Sequence, residues 1–429
     1  MRIKYIAMLL AVGSGLSASS NILNGDDPAE GTLIDPSDLR SYAGGLALYN
    51  SSLKMQQYTM NVVSEDVGAF TDELTIDMTG GGNLAIDSRY APQTNLNVTS
   101  EAYRWLNRTR VSAGQAAEAL LRYGPASARA KVGEAFAIEA QATLLLGEMY
   151  CSGVPLTRVL LAGDMQYTAA LSTTAVLEQA VALFDSAYHY GKDSVPIATL
   201  AQVGKGRALL GLGRFAEAAA AVANVPTPAQ YTSTYSTLAD GVQFWTGPRS
   251  NWYQVANGEG TNGLHWVAIP PATQDPRVPV SAAAPYRPLK YNGAASTIIM
   301  ANGIQARMIE AEAQLQPANA PAGPWLATIN AARATRGLVA LDDPGTESGR
   351  VDLLFRERAF WFYQDGIRLG DLRRLARQYN RLPLQLFPTG LYPHPSVGTP
   401  SYGNQYVFTP SVDEGDLNPL YKGCLDKDP

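Results

Sequence analysis

The chain has little of what enzymes usually work with. Its 429 residues include three histidines and two cysteines. His189, His265 and His394 are scattered, and none has the i,i+4 partner of a helical zinc site. There is no G-x-S-x-G elbow and no Cys–His pair at a spacing that suggests a nucleophile with its base. No metal and no cofactor is called for. Charge is also sparse: 17% of residues are charged, against roughly 25% in a typical globular chain. There is no basic run, and the net charge is −5 with a pI near 5.4. That excludes nucleic acid as a partner, because such binding rests on neutralising phosphates. After the N-terminus no apolar run approaches the roughly 20 residues that span a bilayer. Cys151 and Cys424 have no metal-spaced neighbours. An oxidising compartment allows one bridge tying the tail to the body, and two independent thiols are the alternative.

What is present begins with residues 1–18, which read as an export signal. Arg2 and Lys4 supply the positive start, Ile6 to Leu16 the short apolar stretch, and Leu16-Ser17-Ala18 the small-residue exit. A lipoprotein signal would continue with cysteine, and here Ser19 follows. The expected location is periplasmic or secreted, or the outer-membrane surface if relatives carry a lipidated cysteine at position 19.

The body of the chain, 35–222 and 299–380, reads as all-α, in tetratricopeptide-like helix pairs. A first helix is expected over 39–58, weakened by Gly44 and Gly45. The segment 64–90 reads as an open, acidic loop around Gly80-Gly81-Gly82-Asn83. Alanine-rich helices follow over 101–123, 130–150 and 174–190. The stretch 199–222 reads as a helical hairpin, with Gly204 allowing close approach and Gly211 and Gly213 at the turn. Helices return at 304–315 and 325–336.

Between them, 223–298 breaks the helical pattern with many prolines and a concentration of aromatics. A flat indole stacks on the apolar face of a sugar while amides and charges bond its hydroxyls. Trp245, Trp252, Tyr253 and Trp266, with Asn251, have that composition; packing as a small satellite core is the competing reading. Gly258-Glu259-Gly260-Thr261-Asn262-Gly263 echoes a dinucleotide loop but lacks the flanking strand and helix, and reads as a turn. The pair Asp72-Glu73 has glycosidase chemistry in principle, with solvated loop charge as the plainer reading. From residue 381 to 429 a Pro-, Gly- and Tyr-rich tail should lie as ordered coil over the helices.

The stretch around which the chain is organised is LLFRERAFWFYQDGIRLGDLRRL, residues 353–375. Val351, Leu354, Phe355, Arg358, Ala359 and Phe362 share one helical face. Gly366 sits where a helix would stop, and Leu369, Leu372 and Leu375 mark a second helix. Glu357, Arg358, Asp365, Arg368, Asp371 and Arg374 lie among these apolar residues and must be paired if buried. They read as a structural ion-pair lattice, with Arg368 and Asp371 close enough to pair along one face. Glu357-Arg358, Asp365-Gly366, Arg368 and Asp371-Leu372-Arg373-Arg374 resemble the signature of the SusD/RagB family. Trp361 and Asp365 depart from it, each standing where a glutamate is usual. Asp275-Pro276-Arg277, the Glu310–Ala313 helix end, the Asn330, Arg333 and Arg336 helix, and Asn418-Pro419 also fit.

The resemblance implies a single domain over 19–429 that is not an enzyme. It implies binding of a nutrient, an oligosaccharide or a peptide, for a SusC-like TonB-dependent outer-membrane transporter. Ligands in that family meet loops near the first helices, which adds Asp72, Asn83, Arg89 and Tyr90 as candidates. A helical-repeat adaptor that binds peptide or protein segments is the alternative.

Overall fold

A serine opens the first helix. Ser41 is extended, and its hydroxyl accepts the Gly44 N–H at 3.0 Å, supplying one of the partners a helix start lacks. The computed structural model describes residues 38–76, 83–90, 101–235, 253–256, 258–259, 263–268, 273–291, 293–316, 323–392 and 401–429; the expected export signal over 1–18 lies outside them.

Helix α1 spans Tyr42–Phe70 and continues well past the end expected from sequence. Its second half carries buried polar residues that break the apolar periodicity. Their partners come from elsewhere: Thr59 Oγ1 lies 2.7 Å from Thr109 Oγ1, and the Ser64 hydroxyl donates to the Gln364 carbonyl. Nor does Gly45 weaken the helix for nothing. A Cβ there would sit 3.2 Å from the Ala119 and Leu120 side chains, so the glycine lets two helices close up.

After α1 come strand β1 (Leu74–Ile76), the short helix α2 (Asn83–Asp87), α3 (Glu101–Tyr123) and α4 (Arg129–Met149). A small ribbon, β2 (Arg158–Val159) with β3 (Met165–Gln166), leads to α5 (Thr173–Gly191), α6 (Val195–Gly211) and α7 (Phe215–Val222). Each of α3 to α6 packs on its successor, and α6 also reaches back to α4, as stacked helical pairs do. Gly204 has the expected role: a Cβ there would meet the Phe184 ring at 2.1 Å. Gly213, at φ +72°, makes the turn into α7.

The described part of 223–298 is free of α-helix after the end of α7, and instead holds β4 (Gln230–Thr234) and β5 (Tyr253–Val255). β4 pairs antiparallel with β6 (Thr297–Asn302), and β5 pairs antiparallel with β1, stitching this lobe to the end of α1. Helices α8 (Gly303–Gln314) and α9 (Pro324–Ala334) follow, with Asn302 capping α8 through Gln305 N–H at 2.8 Å.

The C-terminal hairpin consists of α10 (Glu347–Trp361) and α11 (Arg368–Tyr379). α11 rests on both α1 and α4, so it closes the helical array across its start. The predicted apolar face of α10 is buried throughout, as are Leu369, Leu372 and Leu375. The stop at Gly366 needs correcting. The helix has already ended at Trp361, and the following turn uses two left-handed residues, Gln364 (φ +60°) and Gly366 (φ +70°). A Cβ on Gly366 would approach Val63 Cγ1 to 2.7 Å, so the position also lets the turn seat on α1.

The tail adds α12 (Pro383–Leu386) and α13 (Val412–Leu417), and its other described residues are coil with isolated bridges. It is anchored by Tyr392, Phe408 and Tyr421, all buried, and by a disulfide between Cys151 and Cys424 with Cα atoms 6.0 Å apart. The bridge joins positions 273 apart, which constrains the unfolded chain strongly. Cys424→Ser is expected to cost about 2–4 kcal/mol. Limited proteolysis should then cut the released end first, and an unchanged digestion pattern would deny the bridge that role.

Candidate functional site

Glu357, Arg358, Asp365, Arg368, Asp371 and Arg374, in the C-terminal hairpin and its turn, are buried or nearly so and are paired, mostly with groups from distant elements. Glu357 uses both oxygens, taking Arg277 and Arg333 at 2.6 Å each. Asp365 accepts from Lys290 Nζ at 2.8 Å and the Tyr291 hydroxyl at 2.7 Å. Asp371 accepts a two-pronged Arg358 at 2.8 Å and Arg374 at 3.0 Å, and Arg374 also grips Glu312. The expected Arg368–Asp371 pair is not made. Arg368 instead grips Glu259 at 2.6 and 2.9 Å, and the Glu259 backbone is held by Leu264 and Gly263. Asp275-Pro276-Arg277 joins the same lattice, through Arg277 on Asp275 and Glu357. Glu259, Glu312, Glu357, Asp365 and Asp371 are buried, and Asp275 is half-buried.

The aromatic lobe corrects the stacking expectation. Trp266 is 0% exposed, its ring covered by Phe360 and Tyr363 at centroid distances of 5.6 and 5.3 Å. Tyr253 is also sealed, with its hydroxyl on Glu65 at 3.0 Å. Trp266 sits in a satellite core with Val255, Val278, Phe360 and Tyr363, Tyr253 belongs to the main core, and neither ring offers a face to a ligand. Trp245, Asn251 and Trp252 lie outside the described residues. Asp72 and Glu73 are sealed too, which removes them from any role as open glycosidase carboxylates.

The loop candidates near the first helices converge instead on the tail. Tyr402 donates to Asp72 at 2.8 Å, and Tyr392 donates to Asp87 at 2.8 Å, the two tyrosine rings meeting edge-on at 5.2 Å. Asp87 lies at the end of α2, the helix that Asn83 opens. Its Oδ2 also accepts Ile76 N–H at 3.0 Å and Thr75 Oγ1 at 3.3 Å, tying β1 to the same knot. Burial pushes the Asp87 carboxyl up to about 7 despite these hydrogen bonds. Arg89, left-handed at φ +54°, threads its guanidinium between Phe387 and Tyr406, 5.5 Å from each centroid. It donates to the Gly403 and Gln405 carbonyls at 2.5 and 2.8 Å. Burial lowers its pKa to about 10. A Cβ at Gly403 would come within 2.2 Å of the Arg89 carbonyl oxygen, so the tail passes directly over this turn.

On the outer side of this knot lies a cleft of 780 Å³. Tyr90, 58% exposed, stands on one wall, and Leu384 and Leu391, 62% and 82% exposed, stand with it. Thr389, Ser401 and Asn404 add hydroxyl and amide groups. Of the residues expected to bind, Arg89 and Tyr90 line the cleft and Asp72 supports it. The tail's share was missed by sequence reasoning; its only signal was a run of tyrosines among prolines and glycines.

Compared by sequence, the chain matches no family model and no curated protein. Compared by structure, it superposes on a SusD homolog from Bacteroides thetaiotaomicron with a TM-score of 0.62 at 14% identity, over 92% of this chain and 98% of that one. The fold is that of the SusD superfamily. A SusD-like carbohydrate binding protein from Bacteroides vulgatus gives 0.60 at 12% identity, over 89% and 97%. A laminarin binding SusD-like protein gives 0.57 at 14%, over 88% and 98%. The resemblance seen in the C-terminal signature therefore holds at the level of fold.

Proposed function

We propose that this SusD-like chain is an exported glycan-binding protein that holds an oligosaccharide in the cleft beside Tyr90. It binds and hands over without bond chemistry. In this reading 19–429 acts as one domain, at the outer-membrane surface or in the periplasm, and passes its ligand to a TonB-dependent transporter. The observation that carries the proposal is the exposed Tyr90 ring in a cleft that also presents exposed leucines, hydroxyls and an amide. Sugars need that mixture: an apolar face to cover their C–H surface and neutral donors and acceptors for their hydroxyls. The names of the structural neighbours support the same ligand class.

Calorimetry with laminarihexaose, maltohexaose and xylohexaose tests it. Tyr90→Ala is expected to weaken binding about 10-fold or more, equivalent to ~1.4 kcal/mol, without changing the melting temperature. Trp266→Ala should do the reverse, lowering stability and leaving affinity intact. Absence of any sugar binding, together with co-purification of a large outer-membrane barrel, would turn the ligand question to peptides. Mass spectrometry of the mature N-terminus tests the location, since a lipid on residue 19 needs a cysteine there.

A further inference from the structure

The cleft's walls carry almost no usable charge. Among the described residues that line it, Arg89 is the only charged one. Its guanidinium is committed inward, to two carbonyls and two aromatic rings, and the residue is 1% exposed. The acids beneath the floor, Asp72 and Asp87, are buried and engaged by Tyr402 and Tyr392. The chain's net charge of −5 adds a weak general repulsion for polyanions.

We propose that the cleft beside Tyr90 selects uncharged glycans and rejects uronate-containing and sulfated ones. This rests on the glycan reading above and narrows it. A carboxylate or sulfate brought into the cleft would lose water and find no cation in return, whereas a neutral hydroxyl finds Thr389, Ser401 or Asn404. Because no ion pair forms, affinity should also be nearly indifferent to salt, which screens only charge–charge terms.

The test uses the full mature chain and matched oligomers. Neutral probes are laminarihexaose, maltohexaose and xylohexaose; charged ones are hexagalacturonate and a chondroitin sulfate hexamer. Expected is binding of at least one neutral probe, weakened about 10-fold by Tyr90→Ala. Its affinity should change less than about 2-fold between roughly 0.05 and 0.5 M NaCl. The charged probes should bind about 100-fold more weakly, and Asn404→Lys, at an exposed position, should recover at least about 10-fold of that deficit for hexagalacturonate. If a charged oligomer binds as tightly as the neutral ones, through Tyr90 and with strong salt dependence, selection for uncharged glycans is wrong while glycan binding stands. If no oligomer of either class binds, the glycan reading itself fails and this inference goes with it.

Discussion

Asp371→Ala is expected to lower stability by about 3–5 kcal/mol, the range for removing one partner of a buried ion pair. The geometry explains why relaxation offers little relief. Asp371 takes both prongs of Arg358 and one of Arg374, and all three residues are largely buried. Without it, Arg374 keeps Glu312, but the nearest remaining carboxylate oxygen to Arg358 is that of Glu312 at 3.9 Å. A buried guanidinium is then left largely uncompensated. The same pair sets an acid limb. Burial opposes the ionised carboxylate, yet Arg358 and Arg374 outweigh it and hold Asp371 at about 2, below its ordinary 3.8. A folded pKa below the unfolded one contributes stability that is complete above the unfolded value and is lost as pH falls toward 2. Thermal melting at neutral pH and a pH series should show both effects. Sugar affinity measured well below the transition should be unchanged. Selective loss of binding at unchanged melting would contradict a scaffolding role for this stretch.

How far the sequence reveals this molecule depends on whether the deciding partners are local. Helix α3 falls on its expected bounds because alanine content and 3.6-residue periodicity act within the segment. That the hairpin charges are paired was legible too, since so many charges among so many apolar residues have no other stable outcome. Their partners were not legible. Glu357 reaches Arg277 across 80 positions, and Arg368 reaches Glu259 across 109. The same limit hid the end of α1, whose polar residues are satisfied by α3 and by the turn after α10. Arg89 and Tyr90 entered as candidates through the family resemblance and not from the residues themselves, while composition offered Trp266 a role that its burial denies. An indole in a core and an indole on a platform have identical sequences; only the Phe360 and Tyr363 rings across its faces distinguish them. The tail residues of the cleft, Leu384, Thr389, Leu391, Ser401 and Asn404, are joined to Tyr90 by tertiary packing alone.

The other large effect concerns Glu73, which is 0% exposed and has neither carboxylate oxygen hydrogen-bonded among the described residues. Burial pushes its pKa up from 4.5 to about 8; Arg368 and Lys290 pull it down, while Asp365 and Glu259 push it further up. Tyr363, also packed here, donates to the Glu73 carbonyl rather than the acid. The charge balance agrees with a neutral Glu73. Arg368 is matched by Glu259 and Lys290 by Asp365, so a third anion would have no cation of its own. Because the folded pKa lies above the unfolded one, stability is full below about pH 4.5 and declines as the unfolded chain alone releases the proton, levelling off above about 8. The span corresponds to at most about 4–5 kcal/mol. Glu73→Gln keeps the shape of the neutral acid and cannot ionise. The stability advantage of the variant over the parent should therefore grow steadily from pH 4.5 to 8 in denaturant titrations and then stay constant. Subtracting the two curves removes the contribution of Asp87, which also titrates near the middle of that window. An advantage that does not vary with pH would mean that Glu73 is ionised in the fold, and that its charge is matched by a cation outside the two pairs around it.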